Sequence, residues 1–538
     1  MQAMRTNTTQ GLVLILTISV CTGSWAQSPA TAPSTEINSL GITVGHDTTF
    51  FTAPLYPDGS VDYVAALNDR NGRNNLPASN AECILILIAD ADSRQPEDFQ
   101  RRAALRLLLG MKDDPGREVV WQNWKGFEHP IPADDPDNPA HVDRFENATT
   151  QPWSSQDMPD LAAWLKTNDT ALGLLTIASQ RPEYWRPIVV RPGKSDLFEE
   201  PVDEDADWRN YSRALLIRAM LELHDGDASA ALDDTVTVQR LASLFSQSSS
   251  LIPLLVADAM RDAGLRTSWR ILQDSHLPPE RLSQWSADLI LGPFPRLEEQ
   301  VGLRLRCDFL SMVQAMAAAE TGEMLKHMTA GELRAARQAV AVLKVPVLDW
   351  NRILRYGNRY YDALLKDRAL LPSQQRDSEL KSLSDWTAQI ETISSNADRT
   401  GHPPAYMLPA TGETRDAYSD RVGAILVAVT LPSIRHSSDV IRRDDERLPW
   451  TSLAGAALAN YRTDHGEYPP TLEALIPKYL PRLPNNILPD PIAYDRRGNG
   501  YVIRHIRQYS DREKAFLAQS GQDFYPTDVV IRTDQFPK

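Results

Sequence analysis

Apolar positions recur at helical spacing through the middle of the chain. Leu215, Leu216, Ala219, Met220 and Leu223 fall on one face of a helix, and Leu232, Thr235, Val238, Leu241 and Phe245 continue on the next. Between them His224-Asp225-Gly226-Asp227 reads as a turn, with Asp227 as N-cap. Leu254, Leu255 and Ala259 start a third helix, which Gly264 is expected to stop. Thr329-Ala330-Gly331-Glu332 has capping-box spacing, and Pro346 ends the helix it opens. Trp350, Ile353, Leu354, Tyr361 and Leu364 mark a further helix, and Leu380, Leu383, Trp386, Ile390 and Ile393 another. The pattern predicts a helical-hairpin domain over 206–400. The Gly226 turn is faintly like a tetratricopeptide hairpin, but no fixed period repeats it.

The flanking regions differ. Residues 50–205 form a mostly helical region dense in proline and tryptophan, with Trp121, Trp124, Trp153, Trp164 and Trp185 inside it and Trp208 just beyond. The apolar run Ile84–Ala89 suits a buried strand or a helix turn, and the preceding Asn80-Ala81-Glu82 favours helix. Residues 27–49 are rich in Ser, Thr, Pro and Ala, which predicts a flexible tether. Residues 1–26 read as a signal peptide: Arg5, an apolar run from Gly11 to Val20, then Ser24-Trp25-Ala26, with cleavage after Ala26. That run is shorter than the ~20 residues of a membrane span. An uncleaved anchor, or a lipoprotein using Cys21 behind the bulky Val20, is the alternative.

A break over 401–413 precedes a module at 414–538. Val422, Ile425, Leu426 and Val429 make an amphipathic run ending at Pro432, and Leu453, Ala456, Ala457, Asn460 and Tyr461 make a second helix stopped at His465-Gly466. Thr471 caps a short helix from Leu472 to Ile476. Ile492-Ala493-Tyr494, the turn Arg497-Gly498-Asn499-Gly500 and Tyr501 to Ile506 read as a hairpin, with Asp528–Arg532 as a third strand. The fold class is therefore mainly α: a helical-hairpin body with a small C-terminal α+β module.

The passage Ala459 to Pro469, followed by Leu475-Ile476-Pro477-Lys478-Tyr479-Leu480-Pro481 and Asp490-Pro491, resembles type II secretion pseudopilins, a type IV pilin-like module. Tyr461, Gly466, Tyr468, Pro469, Asp490 and Pro491 carry that motif, and Gly423 to Pro432 resembles the pilin stem. Here the stem is internal, no prepilin cleavage motif precedes it, and no acidic calcium loop surrounds Tyr509-Ser510-Asp511-Arg512. The resemblance therefore implies the fold alone. Over most of its length the chain also resembles a group of exported planctomycete-type proteins, through Pro54 to Asn68, Asp160 to Lys166, Asp349-Trp350-Asn351 and Gly357 to Asp362. That resemblance implies export and no particular activity.

Composition narrows the chemistry. The 538 residues carry a net charge of -15, which argues against nucleic-acid binding, and the 3 cysteines cannot build a disulfide framework. After signal removal Cys83 and Cys307 either pair or lie buried as small apolar side chains. No Zn-binding His pair, nucleophile elbow or phosphate loop is present, and no cofactor is expected. His129, Asp134, Asp135, Asp137, His141 and Asp143 lie in a proline-broken acidic loop, either a hard-cation site or, more simply, a solvated loop. The tryptophans either fill a core or line a partner surface, and Trp121 with Trp124 is the candidate surface. These readings point to an exported, periplasmic or extracellular, non-enzymatic binding or assembly protein of the cell envelope. Its partner would be an envelope protein or a glycan, and no stable transmembrane span would remain after signal cleavage. The alternative is a secreted hydrolase whose carboxylates converge only in the fold. A membrane anchor built on Gly423 to Ile434 is too short to span.

Overall fold

The structure is a computed structural model. It describes residues 37–72, 76–90, 96–111, 119–124, 145, 147–190, 197, 205–274, 277–289, 297–320, 348–367, 412–430, 454–480, 483, 492–506 and 527–532. The elements are α1 (Tyr63–Gly72), α2 (Glu82–Leu85), β1 (Ile88–Asp90), α3 (Pro96–Leu108), β2 (Val119–Trp121), α4 (Pro159–Thr167), α5 (Asp169–Ser179), α6 (Asp205–His224), α7 (Ala228–Phe245), α8 (Leu251–Asp274), α9 (Pro279–Leu289), α10 (Leu297–Glu320), α11 (Trp350–Asp367), α12 (Arg415–Thr430), α13 (454–465), a 3-10 turn (Leu472–Leu475), and β3 (Ile492–Arg497), β4 (Gly500–Ile506) and β5 (Thr527–Arg532). The protein is mainly helical, with a small antiparallel sheet near its carboxyl end.

The α6–α7 hairpin forms as the pattern predicts. Gly226 takes φ +90°, a left-handed conformation that favours glycine, and lets the Asp227 N–H reach back to Glu222 O at 2.8 Å. The Asp227 carboxylate then accepts the Ala230 N–H at 3.0 Å and caps α7. Leu232, Thr235, Val238, Leu241 and Phe245 are all buried. The expectation at Gly264 is corrected: α8 runs straight through it. A Cβ there would stand 2.7 Å from Gln239 Nε2, whose amide donates to Arg261 O at 2.9 Å. The glycine serves close helix packing, not termination, and Ala259 of the expected apolar face is exposed.

The Ile84–Ala89 run is divided between two elements. Asn80 Oδ1 accepts the Glu82 N–H and α2 makes a single turn, after which Ile88–Asp90 pairs in parallel with Val119–Trp121. In the C-terminal sheet Tyr494 pairs with Ile503 and Arg497 with Gly500, leaving Gly498-Asn499 as a two-residue turn with φ +57° at Gly498. β5 pairs antiparallel with β4.

Among the described residues two large cores form, with two small clusters beside them. One gathers Trp121, Trp164 and Leu172 with Leu215, Leu241, Trp269 and Trp285, and also with Ala457, Tyr468 and Tyr501. The other gathers Ile42, Val61 and Tyr63 with Phe309, Ile353, Tyr361, Tyr418 and Val427. The tryptophan-rich region thus shares its core with the helical hairpins. α13 packs on that same core while α12 packs on the other.

The tether expectation is corrected over 37–49. Ile42 is buried, Thr43 N donates to Asn351 Oδ1 at 2.8 Å, and Asn358 Nδ2 donates to Asp47 O and Thr48 O. Buried irregular backbone needs hydrogen-bond partners, and side-chain amides supply them here. Asn68 exchanges two bonds with Ile188, Asn80 with Trp185, Asn168 with Gln122 and Gln314 with Val61, each binding one residue's N–H and C=O as a neighbouring strand would. The signal segment, residues 27–36, the acidic loop at 129–143, the capping box at 329–332, the helix marked by Leu380 to Ile393 and the break at 401–411 lie outside the described residues.

Candidate functional site

Trp121 and Trp124 sit in an aromatic cluster, not on an open face. Trp121 is fully buried, edge-on to Trp164 and Tyr211 with centroids 5.8 and 4.9 Å away, and its Nε1 donates to Asn123 Oδ1. Trp124 is half-buried against Phe145 and Trp164. A ring with no solvent exposure offers nothing to a partner, so Trp121 is removed from the candidate surface. Trp164 Nε1 and Asn168 Nδ2 both donate to Gln122 O, which fixes the strand end beside them.

Among the described motif residues of the C-terminal module, Gly466, Tyr468 and Pro469 share one turn. Gly466 takes φ +78° at the end of α13, and its N–H reaches Arg462 O at 2.7 Å. The chain then turns, and Tyr468 enters the core edge-on to Tyr501 at 4.9 Å, its hydroxyl accepting from Arg462 at 2.9 Å. Pro469 is buried and its carbonyl accepts the Tyr494 hydroxyl proton at 2.8 Å. Burial pushes the Tyr501 and Tyr494 hydroxyls well up. Asp490 and Pro491 lie outside the described residues.

Tyr461 is half-buried against the same core and borders the surface. Its ring stacks on His465 at 4.1 Å and 8°, one helical turn on. Tyr479 stands edge-on to Tyr461 at 5.5 Å. The Tyr479 hydroxyl donates to Asp464 Oδ2 at 2.6 Å, and Lys478 pairs with the same oxygen while its Nζ lies 4.8 Å from the Tyr479 ring centre. The hydrogen bonds from Lys478 and then Tyr479 hold the Asp464 carboxyl below its usual range. Arg496 on β3 pairs with Glu467 and lies within electrostatic reach of Tyr461. His465, Lys478, Asp464 and Glu467 are exposed. The sequence motif pointed to Tyr461 and Gly466; Asp464, His465, Lys478 and Tyr479 were missed as site residues. The i, i+4 spacing of Tyr461 and His465 was the available signal. The return of Lys478 and Tyr479 to Asp464 depends on the turn between them.

A second cluster is ionic. Arg218 on α6 makes two bonds to Asp234 on α7, Nε to Oδ2 at 2.8 Å and the terminal nitrogen to Oδ1 at 2.6 Å. Glu222 stands 3.9 Å from Arg218 Nε and Asp169 is 4.0 Å from the same guanidinium. Burial, with Asp234 next to it, pushes the Glu222 carboxyl up to about 8 despite Arg218. A carboxyl protonated near neutrality is the chemistry of a general acid.

Cys83 and Cys307 are both free and buried, in different clusters, and burial pushes both thiols up, Cys83 to about 11. Among the described residues no three His, Cys, Asp or Glu side chains gather as a metal site, and no helix is long and apolar enough to cross a membrane. No protein-family model, curated protein or solved structure matches the chain.

Proposed function

We propose that this is an exported, non-enzymatic binding or assembly protein of the cell envelope, with a pseudopilin-like α+β module at its carboxyl end. The observation that carries this reading is the ordered aromatic cluster at the edge of that module, where His465 is exposed and Tyr461 and Tyr479 are half-buried. Tyr461, His465 and Tyr479 are held there by one another and by Asp464 and Lys478. Aromatic side chains fixed in place at a polar surface bind partners with little ordering cost. The signal-like pattern at 1–26 supports export. The helix, glycine turn, Tyr-Pro passage and antiparallel hairpin in that order support the pseudopilin-like reading. The partner is an envelope protein or a glycan.

Mass analysis of the native amino terminus tests the export claim. A chain beginning at Gln27 in an envelope or exterior fraction is the expected result, and an intact Met1 in the cytosol contradicts it. The hydrolase alternative is supported by Glu222 alone. Glu222→Gln abolishing a hydrolytic activity of the purified protein would favour that alternative.

A further inference from the structure

The chemistry of the C-terminal surface narrows the partner. We infer that the stacked Tyr461–His465 pair, with Asp464, Glu467, Lys478 and Arg496 around it, is a platform for a neutral glycan. This inference rests on the binding reading above and names its ligand class.

The stack leaves one face of the His465 ring covered by Tyr461, and His465 as a residue is exposed. A pyranose lays its C–H face on such a ring and directs its hydroxyls outward. Every sugar hydroxyl both donates and accepts, so the rim should offer both roles. Lys478 and Arg496 donate, and Asp464 and Glu467 accept. His465 Nδ1 lies 3.1 Å from the Tyr461 carbonyl, which can only accept, so Nδ1 donates there.

Charge points the same way. The two cations of the rim are each paired with one of its two carboxylates, so the patch has no net sign. A polyanion or a polycation would meet as much repulsion as attraction, whereas a neutral polyhydroxylated chain meets complementary partners. The groups are also already placed: Asp464 is fixed by Lys478 and Tyr479, Glu467 by Arg496, and Tyr461 by His465 and Tyr479. Little side-chain freedom is left to lose on binding.

The test is to screen the purified protein on an array of neutral and sulfated oligosaccharides and to titrate the strongest neutral hit by calorimetry. The result expected is saturable binding to a neutral oligosaccharide. His465→Ala and Lys478→Ala should each weaken it about tenfold, the scale of one lost stacking or charge-assisted contact, while Leu107→Ala on α3 leaves it unchanged. Circular dichroism confirms that each variant is folded. Absence of binding to every neutral oligosaccharide, preference for the sulfated ones, or wild-type affinity in both variants overturns the inference. Localisation of the same protein separates the two claims. An exported chain that cross-links to an envelope protein but binds no saccharide defeats the glycan inference and leaves the binding reading standing. A cytosolic chain with Met1 intact defeats the reading itself.

Discussion

The Arg462 guanidinium donates to the carbonyl oxygen of Leu272 at 2.9 Å, joining α13 to the last turn of α8 across 190 residues of chain. The carbonyls at a helix C-terminus have no intrahelical partner, and a cation there also suits the helix dipole. The same side chain donates to the Tyr468 hydroxyl, so one residue fixes the C-terminal module to the body and sets its own turn. Arg462→Ala is expected to cost about 2 kcal/mol, the loss of charge-assisted hydrogen bonds. Urea unfolding measures that cost, and hydrogen exchange should show faster opening over 454–480.

Gly357 on α11 lies against the ring of Phe309 on α10, and a Cβ at 357 would collide with that ring. Gly357→Ala is therefore expected to destabilise the second core by about 1–3 kcal/mol, the range for overpacking. Phe309→Leu in the same chain should recover part of the loss, because the two changes act on one contact. Thermal unfolding of the two single variants and the double variant checks the coupling. Strict additivity would show that the contact is not the cause.

The Asn168 amide binds both backbone groups of Gln122, Oδ1 accepting at 2.9 Å and Nδ2 donating at 3.0 Å. Asn168→Ala leaves the Gln122 N–H without that acceptor and should cost about 2 kcal/mol. Asn168→Asp keeps an acceptor for the Gln122 N–H but faces a carboxylate toward a carbonyl, so it should cost at least as much. Near-ultraviolet circular dichroism, which reports the Trp121–Trp164 cluster, should change with either variant, alongside a lowered unfolding midpoint.

Glu222 gives the α6–α7 hairpin an inverted response to acid. Its carboxyl is pushed up to about 8 by burial and by Asp234, with Asp227 and Asp233 adding to the push and Arg218 opposing it. The folded state therefore holds a proton that the unfolded chain releases near the ordinary carboxylate range of about 4.3. This group's stabilisation is fully present below that value and is lost as pH rises through about 8. Glu222→Gln should raise the unfolding temperature at pH ~8.5 and change it little at pH ~5. The measurement is unfolding temperature against pH for both proteins. A shift of equal size at both ends would contradict it.

Local features of the fold were legible where one residue carries the whole instruction. Asp227 and Gly226 announce a cap and a turn, and Gly498-Asn499 announces a hairpin, because each acts within a few residues. Gly264 misled because its reason is Gln239, on another helix, and a helix-stopping glycine reads the same as one that makes room for a neighbour. Residues 37–49 misled for a related reason. Their Ser/Thr-rich composition suits a tether, but Asn351 and Asn358, about three hundred residues on, bind their backbone. The surface at Asp464 and Lys478 was hidden likewise, since it forms only when the turn after Gly466 returns the chain. Trp121 shows the limit of composition: a tryptophan count does not tell a buried ring from an offered one.

The most direct test of the account is where the protein resides when its C-terminal surface is removed. Cells producing the wild-type chain are compared by fractionation with cells producing the His465→Ala/Lys478→Ala double variant, with the amino terminus of each determined by mass spectrometry. The account predicts that both chains begin at Gln27, that the wild type stays with the envelope, and that the double variant is released into the soluble exported fraction. A wild-type chain retaining Met1 in the cytosol, or a double variant held at the envelope as firmly as the wild type, would contradict it.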